Sequence, residues 1–287
     1  MKAASFHSGA LSFVPVDQWQ GGTWARPTDM SFLDTGSSIP IAATELLQVA
    51  QLYPLAVRQG AGTFWVEAVT ERRLLRVPAI DETGRLTRPY APIAIRCLPF
   101  RLSPAQNGGR KTGLEIAAGF AGGETDTSLR GTDGMVSVDV RRVEKLLANA
   151  AESQAQLTTA VELLFLADLL VPLSLRMTDG AEHDERPLLT LDRAALAGSS
   201  REKLAIIASG GLLVIDLIAS LVRSSDHFHP DAVTVQREVW KGSLDNPVLS
   251  DLDSLIRKVG RMEFELDASE LFSFDRLDAE EAPLASR

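Results

Sequence analysis

The sequence contains one local group of metal-ligand side chains, the run Asp-His-Phe-His-Pro-Asp between Asp226 and Asp231. His227 and His229 are two residues apart, so in an extended segment both imidazoles would point to the same side, where a carboxylate could join them on a metal. Two imidazoles and one carboxylate give three ligands, whereas a closed structural zinc site needs four. We therefore predict a solvated loop here and no metal site.

Two further candidates for chemistry are an acidic cluster and the single cysteine. The cluster could bind a divalent cation, but charge runs in loops are usually only hydrated. Cys97 lies in an apolar run, where burial favours an inert thiol over a nucleophile. We therefore assign no catalytic residue and no metal ligand to either. The cluster consists of Asp179, Glu182, His183, Asp184 and Glu185.

Motifs for nucleotides and for hydrolysis are incomplete. A phosphate-binding loop needs a glycine directly before its Lys-Thr pair, but Arg110 stands before Lys111 and Thr112. Gly60 and Gly62 begin like a dinucleotide fingerprint, yet the third glycine is missing and the following residues favour a strand. Neither a nucleophile-elbow serine nor a His-Glu-x-x-His motif occurs. We therefore expect no cofactor and no catalytic group built from neighbouring residues.

The composition excludes several classes of protein. At 287 residues, with 45% hydrophobic and 23% charged side chains, the chain is long enough to bury a core without disulfides. A net charge of -9 would repel a phosphate backbone, so we expect no nucleic-acid partner. The N-terminal residues contain no apolar run of the length that a secretory signal requires. We therefore expect a soluble, acidic, cytoplasmic protein.

The N-terminal half favours β structure. Residues 1–38 are rich in Gly, Ser, Thr and Pro with isolated aromatic residues, which indicates an N-terminal arm. A short helix is predicted over residues 42–50, because an apolar run there is followed by Pro54. β-branched and aromatic runs separated by glycines then predict the strands of an antiparallel sheet, at residues 55–57, 64–69, 93–98 and 114–117.

Beyond Gly134 the apolar residues recur every three or four positions, which is typical of amphipathic helices. One or two helices are predicted over residues 143–165, with Pro172 ending the run. The fold class is therefore α+β, with mainly antiparallel sheet in the N-terminal half and helices in the C-terminal half. Strands are predicted at residues 173–177 and 188–191, and Asp192 or Ser199 could cap the helices that follow.

Leu204–Val222 is the most apolar segment, with Asp216 as its only charged residue. Its length would allow a membrane span, but Asp216 near the middle would cost about 2.5–3.5 kcal/mol on insertion, and Gly210 and Gly211 weaken the helix. Two alternatives stay open: a helix or helix pair buried in protein, and a membrane-associated segment. Since no second span occurs in the sequence, we expect no integral membrane insertion.

Several short motifs follow one another along residues 39–225. Together they resemble the SapC-like family, which is named after a protein of a paracrystalline bacterial surface layer. The resemblance implies an accessory protein associated with the surface layer or with outer-membrane uptake, and it carries over no catalytic residue. The motifs are Pro40-Ile41 with Thr44-Glu45, Gln48-Val49-Ala50 with Tyr53-Pro54, Tyr90-Ala91-Pro92 with Arg96 and Pro99-Phe100, Leu169-Leu170-Val171-Pro172, and Ser209-Gly210-Gly211-Leu212.

The resemblance suggests three parts of the chain. Residues 1–38 would form the arm, residues 39–225 a SapC-like α+β domain, and residues 226–287 an acidic C-terminal extension. Within the extension, a last amphipathic helix is predicted over residues 252–259, and the final ten residues are predicted to be disordered.

Two hypotheses for function follow. The first is a non-catalytic interaction or accessory protein that binds a protein partner or a second copy of itself. The alternative is an enzyme or a small-ligand-binding protein whose site is assembled from residues distant in sequence. The two are discriminated by structure, because a pocket with several converging ionisable groups would favour the alternative.

Overall fold

A computed structural model provides the structure of the protein. It describes residues 11–19, 22–34, 38–60, 62–103, 113–118, 120, 127–175, 188–230 and 233–235. Four sequence predictions lie outside these residues: the Arg110-Lys111-Thr112 loop, the acidic cluster, the helix over residues 252–259 and the C-terminal ten residues.

The main sheet is antiparallel and has six strands in the order β11-β9-β10-β4-β5-β3. Its two longest strands in the N-terminal half, β4 and β5, form a hairpin whose turn closes with Gly60 opposite Thr63. Gly62 in this turn has a φ of 75°, a left-handed conformation that glycine adopts without strain. The strands are β3 (Ser38–Pro40), β4 (Leu55–Gly60), β5 (Thr63–Val69), β9 (Leu170–Leu175), β10 (Leu188–Leu191) and β11 (Val233–Val235).

The N-terminal residues pair with other parts of the chain. They form a three-stranded sheet, β1-β7-β6, and a two-stranded sheet, β2-β8, both antiparallel. The two sheets share a core, where the Trp24 and Phe100 rings meet edge to face at 4.8 Å between centroids. The strands are β1 (Phe13–Pro15), β2 (Thr23–Trp24), β6 (Phe100–Leu102), β7 (Leu114–Ala117) and β8 (Thr127–Ser128).

One long helix, α3 (Val138–Leu166), connects these layers. Ser137 caps its N-terminus by accepting a hydrogen bond from the Val140 amide at 3.4 Å. Further along, the Thr158 hydroxyl donates to the Phe64 carbonyl of β5 at 2.9 Å. The apolar face of α3 is buried against both the main sheet and β6, so the helix holds the two regions of the fold together.

The remaining helices follow the predicted pattern with shifted boundaries. The 42–50 region forms a 3-10 turn, Ala43–Glu45, and α1 (Leu46–Ala50). Asp192 caps α4 (Arg193–Ala197), whereas Ser200 rather than Ser199 caps α5 (Arg201–Ser209). The prediction of an antiparallel N-terminal sheet with C-terminal helices in an α+β fold is confirmed.

The apolar segment Leu204–Val222 forms most of α5 and α6 (Gly211–Ser224), two helices that meet at an angle of 110°. Among the described residues no single helix has the length and apolarity of a membrane span, although this bent pair meets both criteria together. One side of the pair is buried, including Ile207 and Val214, and the other side faces solvent.

Two local predictions were wrong. The predicted strand at residues 93–98 is a short helix, α2 (Ile93–Arg96), because Pro92 precedes it with a φ of -51° and a buried carboxylate accepts the first amide. Pro172 does not end α3, since the helix stops at Leu166 and Asp168 turns the chain with a φ of 53°. Pro172 lies instead within β9.

We predict that Gly210→Ala destabilises the fold by about 1–3 kcal/mol, because overpacking at a close contact costs this much. An added Cβ would lie 2.5 Å from Leu163 Cδ1 of α3 and would also contact Val214. Gly198→Ala is the matched control, since its Cβ would meet only the Ala194 carbonyl oxygen at 3.5 Å. Urea denaturation measures both; equal midpoints for the two variants would contradict the close packing of α5 and α6 on α3.

Candidate functional site

A buried carboxylate, Glu45, joins two segments that are distant in sequence, residues 42–45 and residues 90–93. One of its oxygens accepts the Ala42 amide at 3.1 Å, and the other accepts the Ile93 amide at 2.8 Å and the Tyr90 hydroxyl at 2.9 Å. The side chain is 3% exposed. The carboxylate therefore fixes the start of the 3-10 turn that precedes α1, the start of α2 and the position of Tyr90 at once.

The electrostatics of Glu45 reflect two opposing effects. Burial raises the pKa of Glu45 above its usual range, because an ionised carboxyl loses hydration in the interior. The hydrogen bonds from Ile93, Ala42 and Tyr90, together with the nearby Arg96 charge, offset part of that rise. Glu45 is thus bound by donors on both oxygens, and its role is structural support of the residues around it.

Tyr90 links the buried carboxylate to an arginine at the surface. Its hydroxyl accepts a hydrogen bond from Arg96 Nη2 at 3.1 Å, and the Arg96 guanidinium lies 5.2 Å from the centroid of the Tyr90 ring. The Tyr53 hydroxyl donates to the Tyr90 carbonyl at 2.9 Å and supports the same loop from the core. Glu45, Tyr90 and Arg96 therefore form a chain from the interior to an exposed guanidinium.

Arg96 reaches an open cleft of about 840 Å³. The cleft contains three arginines, Arg26, Arg96 and Arg142, and one carboxylate, Asp139. Asp139 lies 3.4 Å from Arg142, where both side chains are exposed. The local charge of these groups is therefore positive in a protein whose net charge is -9. The cleft is lined by Trp24, Ala25, Arg26, Thr28, Arg96, Cys97, Thr127, Asp139, Arg142, Val143 and Leu146.

Cys97 lies at this cleft with its side chain buried. Burial raises the pKa of the Cys97 thiol to about 11, so the thiol stays protonated at neutral pH. It packs in a small apolar cluster with Ala42, Ile93 and Ala150. Cys97 directly follows α2, whereas the sequence analysis placed it on a strand. Its geometry favours packing rather than nucleophilic attack.

The two histidines of the Asp226–Asp231 run are tied to the fold. They follow α6, where the His229 amide donates to the Leu74 carbonyl at 2.9 Å and the Arg76 amide donates to the His227 carbonyl at 2.9 Å. Burial and the nearby Arg88 charge lower the pKa of His227. No group of three or more His, Cys, Asp or Glu side chains arranged for a metal occurs in the described part of the chain.

The arginine cleft was missed by the sequence analysis. Arg26, Arg96 and Arg142 are far apart along the chain and belong to no chemical motif. A signal was nevertheless present, because the family motifs contain Glu45 and Tyr90, which contact each other in the structure. These motifs mark the support of the site rather than the whole of it.

Comparison with known proteins confirms the resemblance to the SapC family. The SapC family model matches residues 16–229, so the chain belongs to the SapC family. The match begins inside the residues 1–38 that the sequence analysis set apart as an arm. No curated protein and no solved structure has a significant match to the chain.

The raised pKa of Glu45 predicts a pH effect on stability. The unfolded carboxyl ionises near its ordinary pKa of 4.5, whereas the folded one keeps its proton to higher pH. The folded state therefore binds more protons above pH 4.5, and its stability falls as pH rises. We expect the free energy of unfolding of the wild type to decrease from pH 4 to pH 7 relative to that of Glu45→Gln.

Urea denaturation at a series of pH values measures this difference. Glu144→Gln, which removes an exposed carboxylate from α3, is the control for the loss of one negative charge. If the free energy of unfolding of the wild type, relative to that of Glu45→Gln, stays constant or rises from pH 4 to pH 7, the raised pKa of Glu45 is contradicted.

Proposed function

We propose that the protein is a non-catalytic binding protein whose ligand presents a phosphate or carboxylate group to the arginine cleft. The observation that carries the proposal is the convergence of Arg26, Arg96 and Arg142 on one cleft. Guanidinium groups bind carboxylate and phosphate oxygens through paired hydrogen bonds, which gives both affinity and orientation.

The contacts that Tyr90 makes with the Arg96 guanidinium favour the binding of an anionic ligand at this site. An exposed arginine normally loses side-chain entropy when it binds a ligand. Here the Tyr90 hydroxyl and ring already contact the guanidinium in the folded protein, so less side-chain entropy remains to be lost when a ligand binds. A preorganised guanidinium beside two further arginines is suited to an anionic group that must be held in one orientation.

The chemistry of the cleft supports binding more than catalysis. Its cysteine has a pKa of about 11 and is buried, so it is a poor nucleophile. Among the lining residues that the structure describes, the one carboxylate is that of Asp139, which is exposed and lies beside Arg142. A protein partner could present the same anionic chemistry through an acidic side chain or a C-terminal carboxylate, which fits the accessory role expected of a SapC protein.

We predict that the full chain binds inorganic phosphate or citrate in low salt, and that Arg26→Gln with Arg142→Gln weakens the affinity at least tenfold. Asp139→Asn should strengthen binding by about 1.5- to 5-fold, because an exposed ion pair competes with the ligand by about 0.2–1 kcal/mol. Isothermal titration calorimetry measures both effects. Binding should also weaken as salt is raised, since the groups are solvent-exposed.

Arg85→Gln is the matched control, because Arg85 is an exposed arginine that does not line the cleft. The phosphate and citrate arms distinguish the two ligand chemistries. Equal affinities for the wild type and the double arginine variant, or no binding of either anion, would overturn the proposal. Turnover of a phosphate or carboxylate ester that requires these arginines would favour the enzyme hypothesis instead.

A further inference from the structure

The solvent-facing side of α5 and α6 carries a continuous apolar stripe. On α5 it passes through Leu204 and Ala208, and on α6 through Leu212, Ile215 and Ala219, all of them exposed. These positions are three or four residues apart within each helix and therefore lie on one face. Leu212, at the corner between the helices, is 78% exposed, the highest value among the large apolar side chains described.

Both outer ends of the stripe are basic. Arg201 begins α5 one turn before Leu204, and Arg223 lies one turn after Ala219 near the end of α6. Both arginines are exposed. Two acids lie near the stripe. Glu202 is exposed and is next to Arg201 on the adjoining face of α5, and Asp216 is partly exposed one turn after Leu212, at the edge of the stripe on α6. The stripe thus has apolar side chains between two outer arginines and one partly exposed acid at its edge.

This pattern discriminates between the partners that could cover the stripe. A second copy paired through the same surface would bring an arginine end against an arginine end in either direction, and like charges that meet in this way are unfavourable. A highly exposed leucine at the corner, Leu212, instead fits the interface of a bilayer, whose lipids can rearrange around it. Apolar side chains at the centre with Lys or Arg at the edge are typical of helices that lie in the interface of an anionic bilayer.

We propose that the α5–α6 corner docks on an anionic lipid surface, with Leu212 and Ile215 in the acyl boundary and Arg201 and Arg223 against the headgroups. The chain direction changes by 110° between the two helices, and the proposal places this bent pair in the interface rather than across the bilayer. Docking is independent of the arginine cleft, because the two surfaces share no residue.

Vesicle co-sedimentation with the full chain tests the proposal. We expect the wild type to bind vesicles of phosphatidylcholine with about 30% phosphatidylglycerol more tightly than pure phosphatidylcholine vesicles, as an anionic surface attracts nearby Lys and Arg residues. Leu212→Gln with Ile215→Gln should weaken binding at least tenfold. Arg201→Gln with Arg223→Gln should remove the preference for the anionic vesicles. Circular dichroism of each variant checks that the fold is retained.

Two controls sharpen the result. Met135→Gln removes an apolar side chain that is 63% exposed outside the stripe and should leave vesicle binding unchanged. Loss of vesicle binding in Arg26→Gln with Arg142→Gln would place the headgroup contact in the cleft and would overturn docking at the corner. The proposal is overturned if the wild type does not sediment with anionic vesicles, or if the Leu212 and Ile215 variant sediments as the wild type does. It is equally overturned if those substitutions instead abolish a dimer or a complex with an acidic protein.

Discussion

A single buried carboxylate constrains the arrangement of the site. Glu45 is enclosed in the core and accepts hydrogen bonds from two backbone amides and one tyrosine hydroxyl, which belong to two segments of the chain, residues 42–45 and residues 90–93. Removing a buried acceptor leaves its donors unsatisfied, at a cost of about 1–3 kcal/mol each. The position of α2, and with it the direction of Arg96, therefore depends on a buried carboxylate that is linked to the Arg96 guanidinium through the Tyr90 hydroxyl.

The sequence predicted most of the regular elements correctly but predicted the wrong element for α2. Apolar periodicity predicted α3, because a long patterned helix buries one face in a regular way, and runs of β-branched, aromatic or other apolar residues predicted β4, β5 and β10. The run from Ile93 to Leu98 is rich in residues that favour strands, so its pattern alone predicted the wrong element. The helix forms because Pro92 and the Glu45 carboxylate act together, and Glu45 is 48 residues away.

The candidate site could not be predicted from the sequence either, because its residues are also distant from one another along the chain. Its three arginines come from the loop after β2, from α2 and from the first turns of α3, and no local spacing relates them. The family motifs indicated Glu45, Tyr53, Tyr90 and Arg96 as a set, but only the structure shows that these residues form one hydrogen-bonded chain. α3 lies next to both proposed binding surfaces, the arginine cleft and the α5–α6 corner. Its first turns line the cleft, and Leu163 near its end packs close to Gly210, where α5 meets α6.

The central claim is that Tyr90 holds Arg96 in position for an anionic ligand. Two tyrosine variants test it directly by calorimetry with phosphate or citrate. Tyr90→Phe removes the hydroxyl that Arg96 contacts, whereas Tyr53→Phe removes a hydroxyl from the same network that contacts only the Tyr90 carbonyl. The account predicts that Tyr90→Phe weakens binding several-fold while Tyr53→Phe binds as the wild type does. Equal affinities for the two variants would contradict it.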